Sequence, residues 1–277
     1  MRTRTVDKVI RGKRVTDGAG VQLLRSLGTA GLEQLDPFLM LDEFRSDSPG
    51  DYIAGFPDHP HRGFETVTYM LAGLMEHADN HGNAGILRGG GVQWMTAGRG
   101  IIHSEMPKQK DGLMWGFQLW VNLPAKDKMM PPRYQNIEPE DVPLVTRADG
   151  AVVRVIAGEA DGVTGPVRGV VTAPLYLDVT LPPGGVYEHG FPRTHSAFAY
   201  LFQGDADING TAVKQTALAA FGDDGDGARI AAGAEGARFL LLAAKKLNEP
   251  MARYGPFVMN TREELKQAFD DYHAGAF

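Results

Sequence analysis

The predicted fold depends first on the stretch Phe56-Pro-Asp-His59-Pro-His61-Arg-Gly-Phe-Glu65. His59 and His61 are two residues apart, and side chains alternate between the two faces of an extended strand. Both imidazoles therefore lie on one face if this segment is a strand. Two nitrogen donors on one face can begin a site for iron, nickel, copper or zinc. The alternative, hydrogen-bonded surface or core histidines, stays open for this pair alone.

A second pair of candidate ligands has the same spacing. In Gly98-Arg-Gly100-Ile-Ile-His103-Ser-Glu105, the residues His103 and Glu105 are again two apart. Two strands of one barrel can present three histidines and one carboxylate to a common point. Such a set leaves one or two positions of an octahedral metal open for substrate or oxygen. It resembles the facial triad of non-haem iron sites with one additional histidine.

Strands dominate the secondary structure that the sequence predicts. Short apolar segments rich in β-branched and aromatic residues alternate with turn residues, and the chain has 35 glycines. These segments are 65–72, 112–121, 152–156, 175–181, 198–202 and 238–242. Their close spacing predicts antiparallel barrels or sandwiches. A helix is predicted only at the end, where the capping box Thr261-Arg-Glu-Glu264 precedes an apolar stripe of Leu265, Phe269 and Tyr272.

The chain is long enough for two domains. Prolines punctuate segment 124–143, which predicts a domain of residues 1–130 with the candidate ligands and a domain of residues 131–277 ending in the helix. Tyr69-Met-Leu-Ala-Gly73 and Tyr200-Leu-Phe-Gln-Gly204 indicate a weak repeat, with the two tyrosines 131 residues apart. The same offset maps His59 and His61 onto Gly190 and Pro192. The second domain is therefore predicted to lack a metal site.

Composition excludes several classes of protein. The absence of cysteine rules out disulfides, thiolate zinc sites, iron–sulfur clusters and a cysteine nucleophile. A net charge of −6 argues against a direct nucleic-acid surface. The charged N-terminus does not resemble a signal peptide, and no apolar run reaches the length of a membrane span. We therefore expect a cytoplasmic protein without a membrane partner.

Several motifs together resemble the pirin family of the cupin superfamily. They are the two ligand clusters, Gln93-Trp-Met-Thr-Ala-Gly-Arg-Gly100, His103-Ser-Glu-Met-Pro107 and Gly255-Pro-Phe-Val-Met-Asn-Thr261. The resemblance runs from about Arg4 to the C-terminus. It implies an all-β bicupin fold of two antiparallel jelly-roll barrels with a short C-terminal helix. It also implies Fe(II) or Fe(III) in the N-terminal barrel and no metal in the C-terminal barrel.

The resemblance also implies the metal ligands, which are His59, His61, His103 and Glu105. Many other cupins use the glutamate after the H-x-H pair, whereas pirins use the later one. Glu65 is therefore expected to act behind the ligands by orienting a histidine. A buried, hydrogen-bonded carboxylate is its alternative role. The metals Ni, Cu, Zn, Mn and Co remain alternatives to iron.

Two functions are compatible with this ligand set. Some pirin-like proteins are quercetin 2,3-dioxygenases, which cleave the central ring of a flavonol with O2 and release carbon monoxide. The small aromatic substrate would then pass its hydroxyl proton to Glu105 as the catalytic base. Other pirins are iron- and redox-dependent regulators that bind a transcription factor or a metabolic enzyme. A metal that only braces the barrel is a third function, and the open coordination positions argue against it.

The remaining histidines and aromatic residues carry weaker signals. His77 and His81 fall in a polar segment and are predicted to be solvated loop residues, with the pocket rim as the alternative. His189, His195 and His273 have no partner at ligand spacing. The alternation of side chains means that only some of the large apolar residues near the motifs can line a pocket for an aromatic ligand. These residues are Trp94, Met95, Met114, Trp115, Phe117 and Trp120.

Overall fold

The computed structural model describes every residue from Met1 to Phe277, and nearly all of its regular structure is antiparallel strand. In the first half of the chain the strands are β1 (Val6–Arg11), β2 (Lys13–Asp17), β3 (Val21–Leu27), β4 (Phe38–Ser46), β5 (Phe56–His61), β6 (Phe64–Ala72), β7 (Leu74–Asp79), β8 (Ala84–Arg88), β9 (Val92–Thr96), β10 (Ile101–Pro107), β11 (Met114–Asn122) and β12 (Arg133–Ile137). In the second half they are β13 (Leu144–Thr146), β14 (Val152–Ala157), β15 (Glu159–Ala160), β16 (Val163–Thr164), β17 (Leu175–Leu181), β18 (Val186–Gly190), β19 (His195–Ile208), β20 (Thr211–Val213), β21 (Ala217–Phe221), β22 (Gly227–Lys245), β23 (Ala252–Tyr254) and β24 (Phe257–Met259). Three short 3-10 turns, Pro49–Asp51, Ala125–Asp127 and Pro139–Asp141, and one helix, α1 (Arg262–His273), complete the structure. The predicted all-β class with a single C-terminal helix is confirmed.

Contacts between residues divide the chain into two compact units. The first-half unit comprises Lys13–Arg25, Phe38–Glu140 and Leu247–Phe277. The second-half unit comprises Met1–Gly12, Ser26–Pro37 and Asp141–Lys246. Each unit is thus assembled from three separate segments. The division into a domain of residues 1–130 and a domain of residues 131–277 stays a prediction.

Two antiparallel sheets form the first-half unit. One has the strand order β12-β9-β6-β11-β4-β3-β2, and the other has the order β5-β10-β7-β8. Strands β6 and β11 coincide with the segments predicted at 65–72 and 112–121 to within two residues at each end. The inner apolar residues of this unit include Phe44, Met70 and Met114. Both segments that carry candidate ligands, β5 and β10, are neighbours in the smaller sheet.

The second-half unit is built on one large sheet. Its strand order is β1-β21-β19-β22-β17-β14-β13, with β18 and β20 paired at the side. The long strands β19 and β22 pair along most of their length. Side chains of these strands form a continuous apolar core that includes Tyr187, Leu201 and Phe239.

The C-terminal helix begins as the sequence predicts. The Thr261 side chain accepts a hydrogen bond from the Glu264 backbone N–H, and the Glu264 carboxylate accepts one from the Thr261 backbone N–H. Phe269 and Tyr272 of the predicted stripe pack on Phe257 of β24, with ring centroids 4.7 and 6.2 Å apart. The capping box and the apolar stripe are therefore both confirmed. No helix of the protein combines the length and the apolar character needed to cross a membrane.

A buried lysine anchors the C-terminal segment within the first-half unit. Lys128 is 1% exposed, and its Nζ donates to the Gly63 carbonyl at 2.7 Å, Asn122 Oδ1 at 2.5 Å and the Val258 carbonyl at 2.9 Å. The three acceptors match the three protons of an ammonium group. Lys128 therefore joins β24 to the turn that follows the H-x-H strand β5.

We expect Lys128→Met to lower the free energy of unfolding by about 2–4 kcal/mol. The methionine fills a similar volume but leaves three buried acceptors without a donor. Urea denaturation of the two proteins measures the difference. Lys126→Met is the matched control, because Lys126 is exposed, and it should shift the free energy by no more than about 0.5 kcal/mol. Equal effects of the two substitutions would contradict an anchoring role.

Candidate metal centre

The register of β5 and β10 brings the candidate histidines together. His59 on β5 lies directly opposite His103 on β10, and His61 lies opposite Ile101. The pairing is interrupted beyond His103, where two residues of β10 face three of β5. This bulge sets Glu105 opposite Phe56. The two ligand clusters, about forty residues apart in the chain, thus meet on neighbouring strands.

Three imidazoles converge at this point. One nitrogen from each of His59, His61 and His103 can be chosen so that all three lie within 4.8 Å of one another. Their ring centroids are 4.4 to 5.0 Å apart. This spacing suits nitrogen donors around one metal ion.

The hydrogen bonding of the imidazoles leaves donor atoms available. His59 Nδ1 lies 2.8 Å from the Pro57 carbonyl oxygen, so Nδ1 carries the proton and Nε2 presents a lone pair. His61 Nδ1 and both ring nitrogens of His103 are buried without a hydrogen-bond partner. A buried polar atom without a partner is costly unless a ligand satisfies it. The three residues fit a transition-metal ion for this reason.

Burial also sets the protonation state of two of these imidazoles. It holds the pKa of His61 well below its usual value of 6.5, and the neighbouring charge of His59 lowers it further. Burial likewise lowers the pKa of His103, with His61, His59 and His77 adding to the effect. Both rings are therefore neutral at pH 7, which is the form that binds metal.

We expect the metal-free protein to lose stability as the pH falls below 6.5, in part through His103. The unfolded chain takes up the proton near pH 6.5, while the folded state resists it, so the unfolded state binds more protons in this range. His103→Gln should reduce the slope of unfolding free energy against pH by up to about 1.4 kcal/mol per pH unit. Urea unfolding of both proteins between pH 7.5 and pH 5 measures the slopes. Identical slopes would show that His103 does not contribute.

Glu105 is buried beside this group but is not within the 4.8 Å cluster. Its Oε1 accepts a hydrogen bond from Thr68 Oγ1 at 2.6 Å, and its Oε2 accepts one from Gln118 Nε2 at 3.3 Å. Thr68 and Gln118 are cross-strand partners on β6 and β11. Burial raises the pKa of Glu105, while the Thr68 hydrogen bond and the charge of His59 lower it. Its role as the fourth ligand stays a prediction.

A cavity of about 670 Å³ opens on this cluster. His59, His61 and Glu105 line it, together with side chains from both sheets of the first-half unit. Apolar side chains form much of the remaining wall: Leu23, Met40, Phe44, Phe56, Met75 and Trp120. Volume and composition are typical of a site for a small organic molecule. Of the large residues predicted as candidate lining, only Trp120 contributes, and its ring lies 5.2 Å from that of His61.

Glu65 occupies a different environment. It is 1% exposed, and its Oε1 accepts a hydrogen bond from Thr96 Oγ1 at 2.6 Å. Burial raises its pKa, and the Thr96 bond lowers it. Glu65 does not line the cavity. The structure thus joins this carboxylate to β9, and its role in orienting a histidine stays a prediction.

The prediction for His77 is wrong. His77 lies on β7 directly opposite Glu105 of β10, and it is 5% exposed rather than solvated. Burial alternates along the first part of β7, with Met75 and His77 buried, but its residue types do not alternate and so do not distinguish this strand from a polar turn. The exposed His81 does lie in a turn, as predicted.

Sequence reasoning missed several residues of the cavity wall. A buried threonine and a half-buried glutamine within apolar strands, Thr68 and Gln118, are a signal that could have been used. The ion pair of Arg25 with Asp42 and the nearby Arg253 have no such local signal. They come from distant parts of the chain and meet only through the fold.

Comparison with known proteins agrees with this architecture. The pirin family model matches residues 20–121, and the model for the pirin C-terminal cupin domain matches residues 176–277. A Pseudomonas aeruginosa protein provisionally named a quercetin 2,3-dioxygenase is 50% identical over 99% of this chain and 98% of its own. A pirin-like protein of Caulobacter vibrioides is 49% identical over the full length of both chains.

A solved structure has the same fold over the whole chain. The crystal structure of a quercetin 2,3-dioxygenase from Acinetobacter baumannii superposes with a TM-score of 0.92. It is 33% identical and covers 100% of this chain and 99% of its own. The expected bicupin fold is confirmed by this likeness and by the two matched domains. With relatives this similar over their entire length, the chain belongs to the pirin family of two-domain cupin proteins.

Proposed function

We propose that this protein is an iron-dependent dioxygenase that cleaves flavonol-type aromatic enols with O2 and releases carbon monoxide. One observation supports the proposal above all: three imidazoles, two of which have buried nitrogens without a hydrogen-bond partner, converge at the wall of a largely apolar cavity of about 670 Å³ that Glu105 also lines. The structural likeness to the Acinetobacter baumannii quercetin 2,3-dioxygenase supports it. In this reaction one O2 is consumed for each carbon monoxide released, and both oxygen atoms enter the ring-opened product.

His59, His61 and His103 would hold the metal, with Glu105 as the fourth ligand. When bound, the metal supplies Lewis acidity and holds the substrate oxygen and O2 close together. The protein's own contribution is to hold the three imidazoles in place. The paired strands β5 and β10 and the Pro57 carbonyl fix their positions.

Glu105 would act as the base for the substrate hydroxyl. The proton moves from that hydroxyl to a carboxylate oxygen of Glu105, which leaves the substrate as an electron-rich enolate. Hydrogen bonds from Thr68 and Gln118 keep the carboxylate oriented along the cavity wall. Burial raises the pKa of Glu105 and so makes its carboxylate a better proton acceptor.

The cavity wall would bind the aromatic rings and exclude water. Phe44 and Phe56 offer apolar surface, and Trp120 offers a flat face next to His61. An aromatic ligand gains from offset or edge contacts with such rings. Glu65 lies outside the cavity and is hydrogen-bonded to Thr96, and it would stabilise the strands that form the cavity wall.

The test combines metal analysis with oxygen uptake and carbon monoxide release on a small panel of flavonols. We expect one metal ion per chain, with iron giving activity, and equal amounts of O2 consumed and carbon monoxide released. The C-terminal cupin domain should contribute no metal. Iron-loaded protein that releases no carbon monoxide from any flavonol would favour a redox-dependent regulatory role with a protein partner.

A further inference from the structure

One wall of the cavity carries a neutralised arginine. Arg25 donates from Nε to Asp42 Oδ1 at 2.8 Å and from Nη2 to Asp42 Oδ2 at 2.7 Å, a two-pronged ion pair. Its Nη2 also contacts Asp17 at 2.8 Å. The charge of Arg25 is therefore fully matched by two carboxylates.

Arg253 lines the same cavity but, unlike Arg25, has no ion-pair partner. It is half-buried, and its one hydrogen bond runs from Nη1 to the Leu39 carbonyl at 3.2 Å. No carboxylate lies within the 4.0 Å of an ion pair, although Arg25 pairs with Asp42 in the same cavity. Burial lowers the pKa of Arg253, and the like charge of Arg25 lowers it further. The charge of Asp42 acts on this pKa in the opposite direction without forming an ion pair with Arg253. Most of the Arg253 donors, and a positive charge without an ion-pair partner, are thus available to a ligand.

An aromatic side chain connects Arg253 with the metal cluster. The Arg253 guanidinium carbon lies 5.0 Å from a ring centroid of Trp120, and Trp120 lies 5.2 Å from the ring of His61. Stacking on Trp120 fixes the position of the guanidinium without using its donors. Trp120 is therefore a neighbour of both His61 and Arg253, and all three residues line the cavity.

We propose that Arg253 determines substrate specificity by binding a carboxylate on the aromatic enol. The inference rests on the proposed function and narrows its substrate class to aromatic enols that carry an acid group away from the reacting hydroxyl. A guanidinium binds a carboxylate through two parallel hydrogen bonds. Asp17, Asp42 and Asp58 line the same cavity, and their negative charge repels a doubly charged group such as a phosphate more strongly than a singly charged carboxylate.

Two fluorescent probes test this proposal by binding alone. They are 3-hydroxyflavone and 3-hydroxyflavone-4′-carboxylate, titrated under argon into the metal-loaded protein so that no turnover occurs. We expect the wild-type protein to bind the carboxylate about 10- to 100-fold more tightly, the range of a charged hydrogen-bonded pair. Arg253→Gln should remove this preference, so that the two probes bind with affinities within about threefold of each other. Arg253→Lys keeps the positive charge but loses the two parallel donors of the guanidinium. It should retain only part of the preference for the carboxylate probe.

The matched control is Arg45→Gln. Arg45 also stacks on a tryptophan, with its guanidinium carbon 4.1 Å from the Trp115 ring, but it does not line the cavity. Arg45→Gln should leave the preference for the carboxylate probe unchanged. Equal binding of both probes by wild-type protein, or a preference that survives in Arg253→Gln, overturns the role of Arg253 and leaves the dioxygenase proposal intact. If the metal-loaded protein binds neither probe and releases no carbon monoxide in air, the proposed function itself fails. If Arg253→Gln does not fold, the proposal is tested by the ratio of the two probe affinities in the wild-type protein and in Arg253→Lys.

Discussion

His61→Ala is expected to remove the metal from the protein. His61 is 3% exposed, its Nδ1 has no partner, and its ring is one of three within the cluster. Loss of a residue that hydrogen-bonds to a metal ligand lowers metal affinity about 10–100-fold. Loss of a ligand itself should lower the affinity more. After dialysis against a chelator, we expect the metal content to fall from one equivalent per chain to roughly 0.1 or less. Elemental analysis by mass spectrometry measures this content.

A second histidine provides the control for this experiment. His189 is half-buried in the second-half unit, where its Nδ1 lies 3.3 Å from the Tyr187 hydroxyl. Its position is next to Gly190, which the internal repeat aligns with His59. His189→Ala should keep the full metal content. A metal content that stays at one equivalent in His61→Ala, or that falls in His189→Ala, would contradict the assigned centre.

Glu105→Gln is expected to lower turnover by about 10²–10⁴-fold while much of the metal is retained. Glutamine keeps an oxygen that accepts the Thr68 hydrogen bond and can still bind a metal, but it cannot accept the substrate proton. A general base commonly contributes a factor of this size. Carbon monoxide release and metal content are measured together, under air, on the same preparations.

Glu65→Gln is the matched comparison, because Glu65 is also buried and also hydrogen-bonded to a threonine. It differs in lying outside the cavity. A residue that acts only by orienting a metal ligand should change metal affinity or activity by about 10–100-fold when it is substituted. If Glu65→Gln abolished turnover while Glu105→Gln did not, the choice of carboxylate would be wrong, although the reaction class would survive.

Local pattern was enough to predict that the first two candidate ligands share one face of an extended segment. The spacing of two between His59 and His61 requires only the alternation of an extended chain, and both lie on β5 as expected. The helix α1 was predictable for a similar reason, since a capping box and its apolar stripe act within a few residues. Family membership also followed from short motifs, because they combine residue types at fixed spacing.

Tertiary structure decided which of these residues meet. Sheet register sets His59 opposite His103, and a bulge then displaces the pairing before Glu105. Pairing of β6 with β11 supplies Thr68 and Gln118 to the Glu105 carboxylate. No local pattern contains this information, because register is a property of two strands and their side-chain packing.

The charged wall of the cavity depends still more on the fold. Arg253 lies in a C-terminal segment that joins the first-half unit, where it stacks on Trp120 of β11. Lys128 joins the Val258 carbonyl of that segment to the Gly63 carbonyl, and backbone acceptors have no sequence signature. The sequence by itself determined the all-β class, several of the strands, the helix and the candidate metal ligands, since these follow from periodicity and residue chemistry. Only the tertiary structure decided the partners of Glu105 and left Arg253 without an ion-pair partner, because contacts between distant segments arise from packing rather than from local preference.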